Sequence, residues 1–250
     1  MKTICLNCGH NFKGNFCPEC GQQATIKRIS AAVLFHDVIH FFTHLEKGFL
    51  FTTWQYLLHP GISSINYLAG KRKKYQTPVS YFLIWTGLYI LLHNAIVNYF
   101  DYHMAGEVLT EIDKSGKANI LLQKHFTLII IPSVLCSALS VYFLLARPKY
   151  NFTEVLALSL YGGGTYFMML FASDIILGFI FRVNVLGSPV FLWQAGLSFI
   201  YNFWVSFDIF KRLGLRLFWI RLISASILVA VSGWIILFYL PIVWLYFSKH

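Results

Sequence analysis

The sequence predicts an all-α polytopic membrane protein with about five transmembrane helices, a small N-terminal four-cysteine zinc ribbon and amphipathic surface helices. Hydrophobic residues make up 57% of the chain and charged residues only 12%, about half the usual share for a soluble domain. Two C-x-x-C-G motifs stand near the N-terminus. Long apolar runs follow after residue 78. These observations divide the chain into a zinc ribbon (1–25), an interfacial segment (26–78) and a transmembrane domain (79–250).

The charge balance is strongly basic, with 20 Lys and Arg against 10 Asp and Glu and a net charge of +10. The basic residues cluster beside apolar runs, where anionic lipid headgroups and the positive-inside rule favour them. This placement predicts membrane lipids as partners and indicates no nucleic-acid partner.

Four cysteines form the strongest local pattern. Two residues between the cysteines of each motif let both thiolates turn onto one metal ion, and the next glycine permits a tight turn. Four sulfur ligands favour Zn2+ in a structural role; disulfides or a rubredoxin-type iron site are the alternatives. The motifs resemble the short zinc ribbons of many bacterial membrane proteins, which implies a thiol-reducing, cytoplasmic location. We expect Phe12 and Phe16 to cover this small core. The predicted ligands are Cys5, Cys8, Cys17 and Cys20.

Residues 30–58 predict an amphipathic helix that lies in the membrane interface or folds against the transmembrane helices. Its polar face carries three histidines at i, i+4 and i+8: His36, His40 and His44. Two histidines at i and i+4 can share a metal ion, and a histidine face can titrate near neutral pH. A polar face without site chemistry is the alternative, and the pattern favours it.

The stretch from residue 70 to residue 78 marks the predicted membrane surface. Residues 59–61, His-Pro-Gly, end the preceding helix, and residues 62–69 predict a second short surface helix. Thr77 and Pro78 predict the start of the next helix. Four consecutive cations between them cannot enter hydrocarbon cheaply and suit lipid headgroups. These cations are Lys71, Arg72, Lys73 and Lys74.

Five apolar segments are each long enough to cross about 30 Å of hydrocarbon. Five crossings place the two termini on opposite sides. With the head inside, fifteen of the twenty basic residues lie on the cytoplasmic side. This predicts a multi-pass protein of the bacterial inner (cytoplasmic) membrane with a cytoplasmic N-terminus. The predicted spans are 79–100, 126–146, 155–181, 189–207 and 222–247.

Two polar residues inside the spans are candidates for chemistry, because a polar group in lipid costs free energy. His93 in the first span and Asp174 in the third come to nearly the same depth, so they can pair in the outer half of the bundle. A proton or substrate pathway is one interpretation. The other is that Asp174 only hydrogen-bonds a neighbouring helix. Three glycines at 162–164 would permit close helix approach.

A family resemblance rests on four pieces of the first 85 residues. They are L-E-K-G-F at 45–49 with Thr52, H-P-G at 59–61, Y-L-A-G-K-R at 67–72, and the pair Tyr75 and Pro78. Together they resemble an uncharacterised family of bacterial membrane proteins, met mainly in Bacteroidetes and defined as a domain of unknown function. The resemblance implies a bacterial inner-membrane location and no established activity.

Three classes of function fit these patterns. The first is a non-enzymatic adaptor or assembly factor whose ribbon and interfacial helices bind a cytosolic or membrane protein partner or anionic lipid. The second is a small transporter or channel that uses His93 and Asp174. The third is an intramembrane lipid-acting enzyme, with the histidine face as its candidate site. The common phosphate-loop, dinucleotide, metalloprotease and acyl-transfer motifs do not occur in the sequence. The patterns therefore leave enzymatic activity open but favour a non-enzymatic role.

Overall fold

A computed structural model shows a small cysteine-bearing ribbon followed by a helical body. The prediction for His36, His40 and His44 lies outside the described residues. The structure describes residues 3–26, 28–34, 48–104, 126–181, 188–211, 215–229 and 231.

The ribbon begins with two short antiparallel strands, β1 (Thr3–Ile4) and β2 (Asn11–Phe12). An isolated bridge between Phe16 and Gln23 repeats this geometry in the second half of the ribbon. Phe12 is buried beside two cysteines, as predicted. Phe16 is 63% exposed, so the prediction that it covers the core is wrong. With so few residues, one large side chain is enough to fill the space between the strands.

Seven helices carry the rest of the described chain. Two short helices come first, and two of the later helices each continue directly into a π-helical turn, at Tyr142–Ala146 and Ile175–Ile180. The helices are α1 (Phe49–Leu58), α2 (Pro60–Leu68), α3 (Pro78–Met104), α4 (Phe126–Val141), α5 (Phe152–Asp174), α6 (Ser188–Phe210) and α7 (Phe218–Val229).

Two of the described helical stretches are long and apolar enough to cross a membrane, Pro78–Ile96 and Phe152–Ile180. Shorter apolar stretches lie at Pro132–Ala146 and in α7. The described helices therefore do not support the predicted number of five spans. In α6, the side chains of Gln194, Asn202 and Asp208 reduce the apolar character of a helix that has sufficient length.

The predicted single helix from residue 30 to residue 58 does not run unbroken. A helix starts at Phe49, with Gly48 as its N-cap residue. Gly48 lies so close to the backbone of residues 74–76 that a Cβ there would lie 2.6 Å from the carbonyl oxygen of Lys74. The two short helices α1 and α2 follow one another with only His59 between them. Hereafter we call this pair of helices the hairpin.

α5 is the central helix of the body, packed along α3 and also against α4, α6 and the hairpin. The glycines in its middle permit the close approach predicted for them: a Cβ on Gly164 would lie 2.7 Å from the ring of Tyr81. Beside this contact the rings of Tyr56 and Tyr161 stack with centroids 4.2 Å apart. Such stacking contributes about 0.5–1.5 kcal/mol beyond burial of the ring area. The hairpin is thereby joined to α5 through aromatic side chains.

The ends of four helices meet in a second apolar cluster, which we call the base. The buried members come from the end of α4, the start of α5, the end of α6 and α7. These are the helix ends that the sequence predicts on one side of the membrane. The base consists of Leu145, Ala146, Val155, Leu158, Ile209, Phe210, Leu222 and Ala225.

Candidate metal centre and buried polar site

The two cysteine motifs fold into two knuckles with the same backbone pattern. Cys5 N–H donates to the carbonyl of His10 and Gly9 N–H donates to the carbonyl of Cys5, each at 2.9 Å. Cys17 and Gly21 repeat both bonds at 2.8 Å. Gly9 and Gly21 have positive φ angles of 79° and 70°. The glycine requirement predicted from the C-x-x-C-G spacing is confirmed, because a left-handed backbone favours a residue without Cβ.

The four thiols converge on one point. The Sγ atoms of Cys5 and Cys20 are 3.5 Å apart, and those of Cys8 and Cys17 are 3.6 Å apart. All four lie within 4.8 Å of one another. A tetrahedral shell with metal–sulfur bonds of about 2.3 Å requires sulfur separations of roughly 3.8 Å, whereas a disulfide requires about 2 Å. All four cysteines are free thiols, so the geometry excludes the disulfide alternative and fits a metal ion.

Hydrogen bonds and neighbouring sulfurs shift the pKa of two of the four thiols in opposite directions. The backbone N–H of Cys8 contributes most to lowering the pKa of the Cys5 thiol to about 7. At Cys8 the backbone N–H of His10 lowers the pKa, but burial and the neighbouring sulfurs raise it to about 12. Four thiolates this close together repel one another unless a cation neutralises them. The cluster can therefore hold a metal ion with no open coordination position.

Hydrogen bonds fix the ribbon to the helical body. The side-chain oxygen of Gln22 accepts from the backbone N–H groups of Arg72 and Lys73, both at 3.3 Å. Leu6 packs against Gly70, where an added Cβ would lie 3.0 Å from the leucine methyl group. Gln22 itself is buried. The metal centre is consequently held at a fixed position beside the turn that precedes α3.

Arg28 makes the second attachment, to the N-terminus of α5. Its Nε and Nη2 atoms donate to the two oxygens of Glu154 at 2.6 and 2.8 Å. Glu154 also accepts from the backbone of Asn151, whose side chain accepts in return from Glu154 N–H. Asn151 and Glu154 thus form a capping box at the start of α5. The carboxylate raises the pKa of Arg28 through the paired hydrogen bonds and its charge.

A buried polar site joins α3, α5 and α6. Asp174 is fully buried, and its Oδ2 lies 2.7 Å from Nδ1 of His93. Its Oδ1 accepts from Nε2 of Gln194 at 3.0 Å. The ring of Tyr89 packs on that of His93 with centroids 5.4 Å apart. The pairing of His93 with Asp174 was predicted from equal depth; Gln194 was not predicted, although a glutamine inside an apolar span is a signal of the same kind.

A second carboxylate acts at the start of the hairpin's second helix. Asp208 Oδ2 accepts from the backbone N–H of Gly61 at 2.8 Å, and Lys211 Nζ lies 2.6 Å from Oδ1. Pro60 occupies the first turn, where its missing N–H costs nothing. Gly61 has no room for a side chain, because a Cβ would lie 2.4 Å from Asp208 Oδ2. The Pro-Gly pair is therefore required by a partner 147 residues away.

The predicted headgroup cations divide into two kinds. Lys71, Lys73 and Lys74 are exposed. Arg72 is half-buried; its Nε donates to the carbonyl of Tyr67 at 3.2 Å, and its guanidinium lies 5.3 Å from the centroid of that ring. Three of the four cations are thus available to headgroups, while Arg72 has a structural contact.

Comparison with known proteins gives one match. Residues 46–90 match a family described as "Protein of unknown function (DUF3667)". No curated protein and no solved structure matches the chain. The matched segment comprises the hairpin, the turn with the basic residues and the first half of α3.

The structure explains why the residues of the resemblance occur together in the matched segment. Thr52 Oγ1 donates to the carbonyl of Gly48 at 2.7 Å and accepts from the backbone N–H of Gln76 at 2.8 Å. Gly70 has a positive φ of 95°. Tyr67 and Tyr75 are buried against each other with ring centroids 6.0 Å apart. Three of the four motif pieces therefore meet where the hairpin packs against the start of α3, while the H-P-G piece contacts Asp208 of α6.

Proposed function

We propose that this chain is a multi-pass protein of the bacterial inner membrane, with five crossings and a cytoplasmic N-terminus. The helix ends that form the base support alternation of direction along the chain. Large apolar side chains on the outer faces of the helices support lipid on several sides. These include Leu91, Phe143, Phe179, Trp193, Ile200 and Ile223, all of which are exposed.

Reporter fusions test this placement. Alkaline phosphatase fused after residue 250 should be active, because five crossings export the C-terminus. A green fluorescent protein at the N-terminus should fluoresce. An active N-terminal phosphatase fusion would contradict the orientation, and a silent C-terminal phosphatase would contradict the odd number of crossings.

We propose Zn2+ as the structural metal of the four cysteines. The sulfur separations suit a tetrahedral ion, and the closed shell leaves no position for a substrate. Elemental analysis of the purified protein should give about one zinc per chain under this assignment. A stoichiometric iron signal with no zinc would contradict it and favour the rubredoxin-type alternative.

We propose that the protein acts as a non-enzymatic membrane adaptor or assembly factor. The observation that supports this role most is that both the ribbon and the segment directly after it are attached to the helical body, through Gln22 and Arg28 respectively. A ribbon that only hung on a linker would need no such contacts. Fixed in this way, it turns exposed apolar side chains outward, with Ile4 at 65% and Phe16 at 63%. Exposed apolar side chains on a rigid platform suit a protein partner.

A small transporter or channel is the second candidate. It is favoured by Asp174, which is completely buried and has His93 and Gln194 as its partners. Within the described residues, no lysine or arginine contacts this carboxylate. A buried carboxylate without a permanent cation is typical of proton and ion pathways as well as of helix packing.

One complementation experiment separates these candidates. The first variant combines Ile4→Ser with Phe16→Ser on the ribbon surface; the second combines His93→Gln with Asp174→Asn. An adaptor should lose function in the first variant and retain it in the second. A transporter should show the reverse. A third variant, in which His36, His40 and His44 are replaced by glutamine, should be the inactive one if the protein is an enzyme acting at the histidine face. Each variant is compared at equal amounts of membrane-inserted protein.

A further inference from the structure

The hairpin has its polar residues on the inside and its apolar residues on the outside. Its buried members include Thr52, Ser63 and Ser64, together with the tyrosines that stack on α5. Apart from His59 at the turn, its large exposed side chains are apolar: Leu50, Phe51, Trp54, Leu58 and Ile62. A hairpin that faces water shows the opposite distribution, because exposed positions then favour polar and charged residues.

The exposed apolar side chains form a continuous stripe. Leu50, Trp54 and Leu58 follow one another at i, i+4 and i+8, so they lie on one face of α1. Leu50 is 76% exposed and Trp54 is 62% exposed. On α2, Ile62 is also exposed. Between Phe49 and Leu68 the sequence contains no Lys, Arg, Asp or Glu.

Contacts between α3 and α5 give the depth of the hairpin in the bundle. Tyr81 of α3 bonds Thr165 of α5, and twelve residues later His93 bonds Asp174. The start of α3 therefore lies level with Tyr161, whose hydroxyl donates to the carbonyl of Gln76. Tyr56 of the hairpin stacks on that same Tyr161 ring.

The hairpin thus lies level with the start of α3 and beside α5. Both of these helices are long and apolar enough to cross a membrane. α5 begins nine residues before Tyr161, at Phe152, which is about 14 Å further along its axis. This leaves the Arg28–Glu154 ion pair beyond the hairpin. Charged groups on one side and apolar helices on the other are the surroundings of a membrane boundary.

The charges next to the stripe complement a bilayer surface. The turn after α2 carries Lys71, Lys73 and Lys74, all exposed. Among the described residues none of the three forms an ion pair with a carboxylate. Lysines near a membrane surface attract anionic headgroups by about 1 kcal/mol each.

We infer that the hairpin is embedded in the inner leaflet of the membrane, with the Leu50–Trp54–Leu58 stripe against acyl chains and the three lysines on anionic headgroups. This inference rests on the membrane placement proposed above. The hairpin is then a lipid-binding element, distinct from the ribbon surface assigned to a protein partner. Its polar and tyrosine-rich inner face is protected from lipid by α5 and α6.

Photocrosslinking of the full-length, metal-loaded protein tests the inference. A benzoyl-phenylalanine replaces Trp54 on the stripe, Leu91 on the exposed face of α3, or Ile4 on the ribbon, one position at a time. The protein is reconstituted in vesicles of equal parts phosphatidylglycerol and phosphatidylethanolamine. We expect lipid adducts at positions 54 and 91 in similar yield and none at position 4.

The other outcomes are separable. Lipid adducts at position 91 without any at position 54 overturn the hairpin inference and leave the membrane placement standing. An adduct at position 54 with a second copy of the chain overturns it in favour of a dimer face. No lipid adduct at either position 54 or position 91 overturns both the inference and the placement.

A charge variant tests the headgroup half of the inference. With the native lysines, position 54 should form more adducts with phosphatidylglycerol than with phosphatidylethanolamine. Replacing Lys71, Lys73 and Lys74 by glutamine should abolish this preference. A matched control replaces three lysines of the predicted outer loop, Lys114, Lys117 and Lys124, and should keep the preference. An unchanged preference in the first variant would contradict the assignment of these lysines to anionic headgroups.

Discussion

Carboxylates at the base of the bundle and in its interior have different partners. Near the base, Glu154 pairs with Arg28 and Asp208 pairs with Lys211. Each of these two carboxylates also accepts a backbone N–H near the start of a helix. In the interior, Asp174 meets His93 and the amide of Gln194.

Two of these carboxylates have a permanently charged partner, and the third, among the described residues, has none. A carboxylate at a helix N-terminus with a permanently charged partner stabilises a joint between segments whatever the surroundings. Asp174 is fully buried, and among the described residues no lysine or arginine contacts it. The base therefore contributes to assembly of the ribbon and hairpin, whereas the interior site is where a chemical or transport role has a physical basis.

Metal removal should have the largest effect, and it should act on the ribbon, which is attached to the body near the base. The ribbon has a very small core, and structural zinc contributes about 10–16 kcal/mol in small zinc domains. Chelation, or Cys17→Ser combined with Cys20→Ser, should leave the first 25 residues open to protease, while the helical circular dichroism of the body persists. Cys136→Ser is the control and should retain the metal. Unchanged metal content in the double serine variant would refute the ligand assignment.

Substitution of His93 should destabilise the interior site around Asp174. His93→Leu leaves a fully buried carboxylate with Gln194 as its remaining described partner, at a cost of about 3–5 kcal/mol. The measurement is SDS-induced unfolding of the purified protein. His93→Leu combined with Asp174→Leu should recover most of this loss, because the uncompensated charge is gone. A single variant as stable as the wild type would show that Asp174 does not depend on the histidine.

A smaller effect is expected at the joint between α2 and α6. Gly61→Ala introduces a Cβ 2.4 Å from the Asp208 carboxylate, and the resulting shift should cost about 1–3 kcal/mol. Gly162→Ala, in α5, is the matched control, since no atom lies within 4 Å of its added Cβ. It should stabilise the protein by up to about 1 kcal/mol. Equal effects in both variants would contradict the role assigned to Gly61.

The smallest expected effect concerns the exposed partner of Glu154. Arg28 is 63% exposed, so Arg28→Gln should destabilise the protein only slightly, because water screens an exposed ion pair. Its local effect should be clearer. Hydrogen exchange at residues 151–155 should become faster, because Glu154 of the capping box loses its hydrogen bonds from Arg28. Arg28→Lys should restore the charge but only one of the two hydrogen bonds. Unchanged exchange rates in Arg28→Gln would show that Arg28 does not stabilise the start of α5.

Features that depend on neighbouring residues were determined by the sequence alone. The cysteine spacing with its glycines, the capping box before α5 and the start of α3 at Pro78 all involve partners within a few positions. The equal depth of His93 and Asp174 could also be read from the sequence, because residues along a helix advance by a constant rise. The number of crossings could not, since apolar content alone does not tell which helices are isolated in lipid and which pack on others.

Only the tertiary structure decided which distant residues meet. Arg28 and Glu154 are 126 residues apart and Gly61 and Asp208 are 147 apart, and nothing in either local sequence names the partner. The hairpin shows the same limit: the sequence predicts a long helix that ends at residue 58 and a short helix at 62–69, but the direction in which each face points follows from packing on α5 and α6. A local pattern fixes the conformation of a segment, whereas its surroundings are fixed by which other segments exclude water or lipid from it.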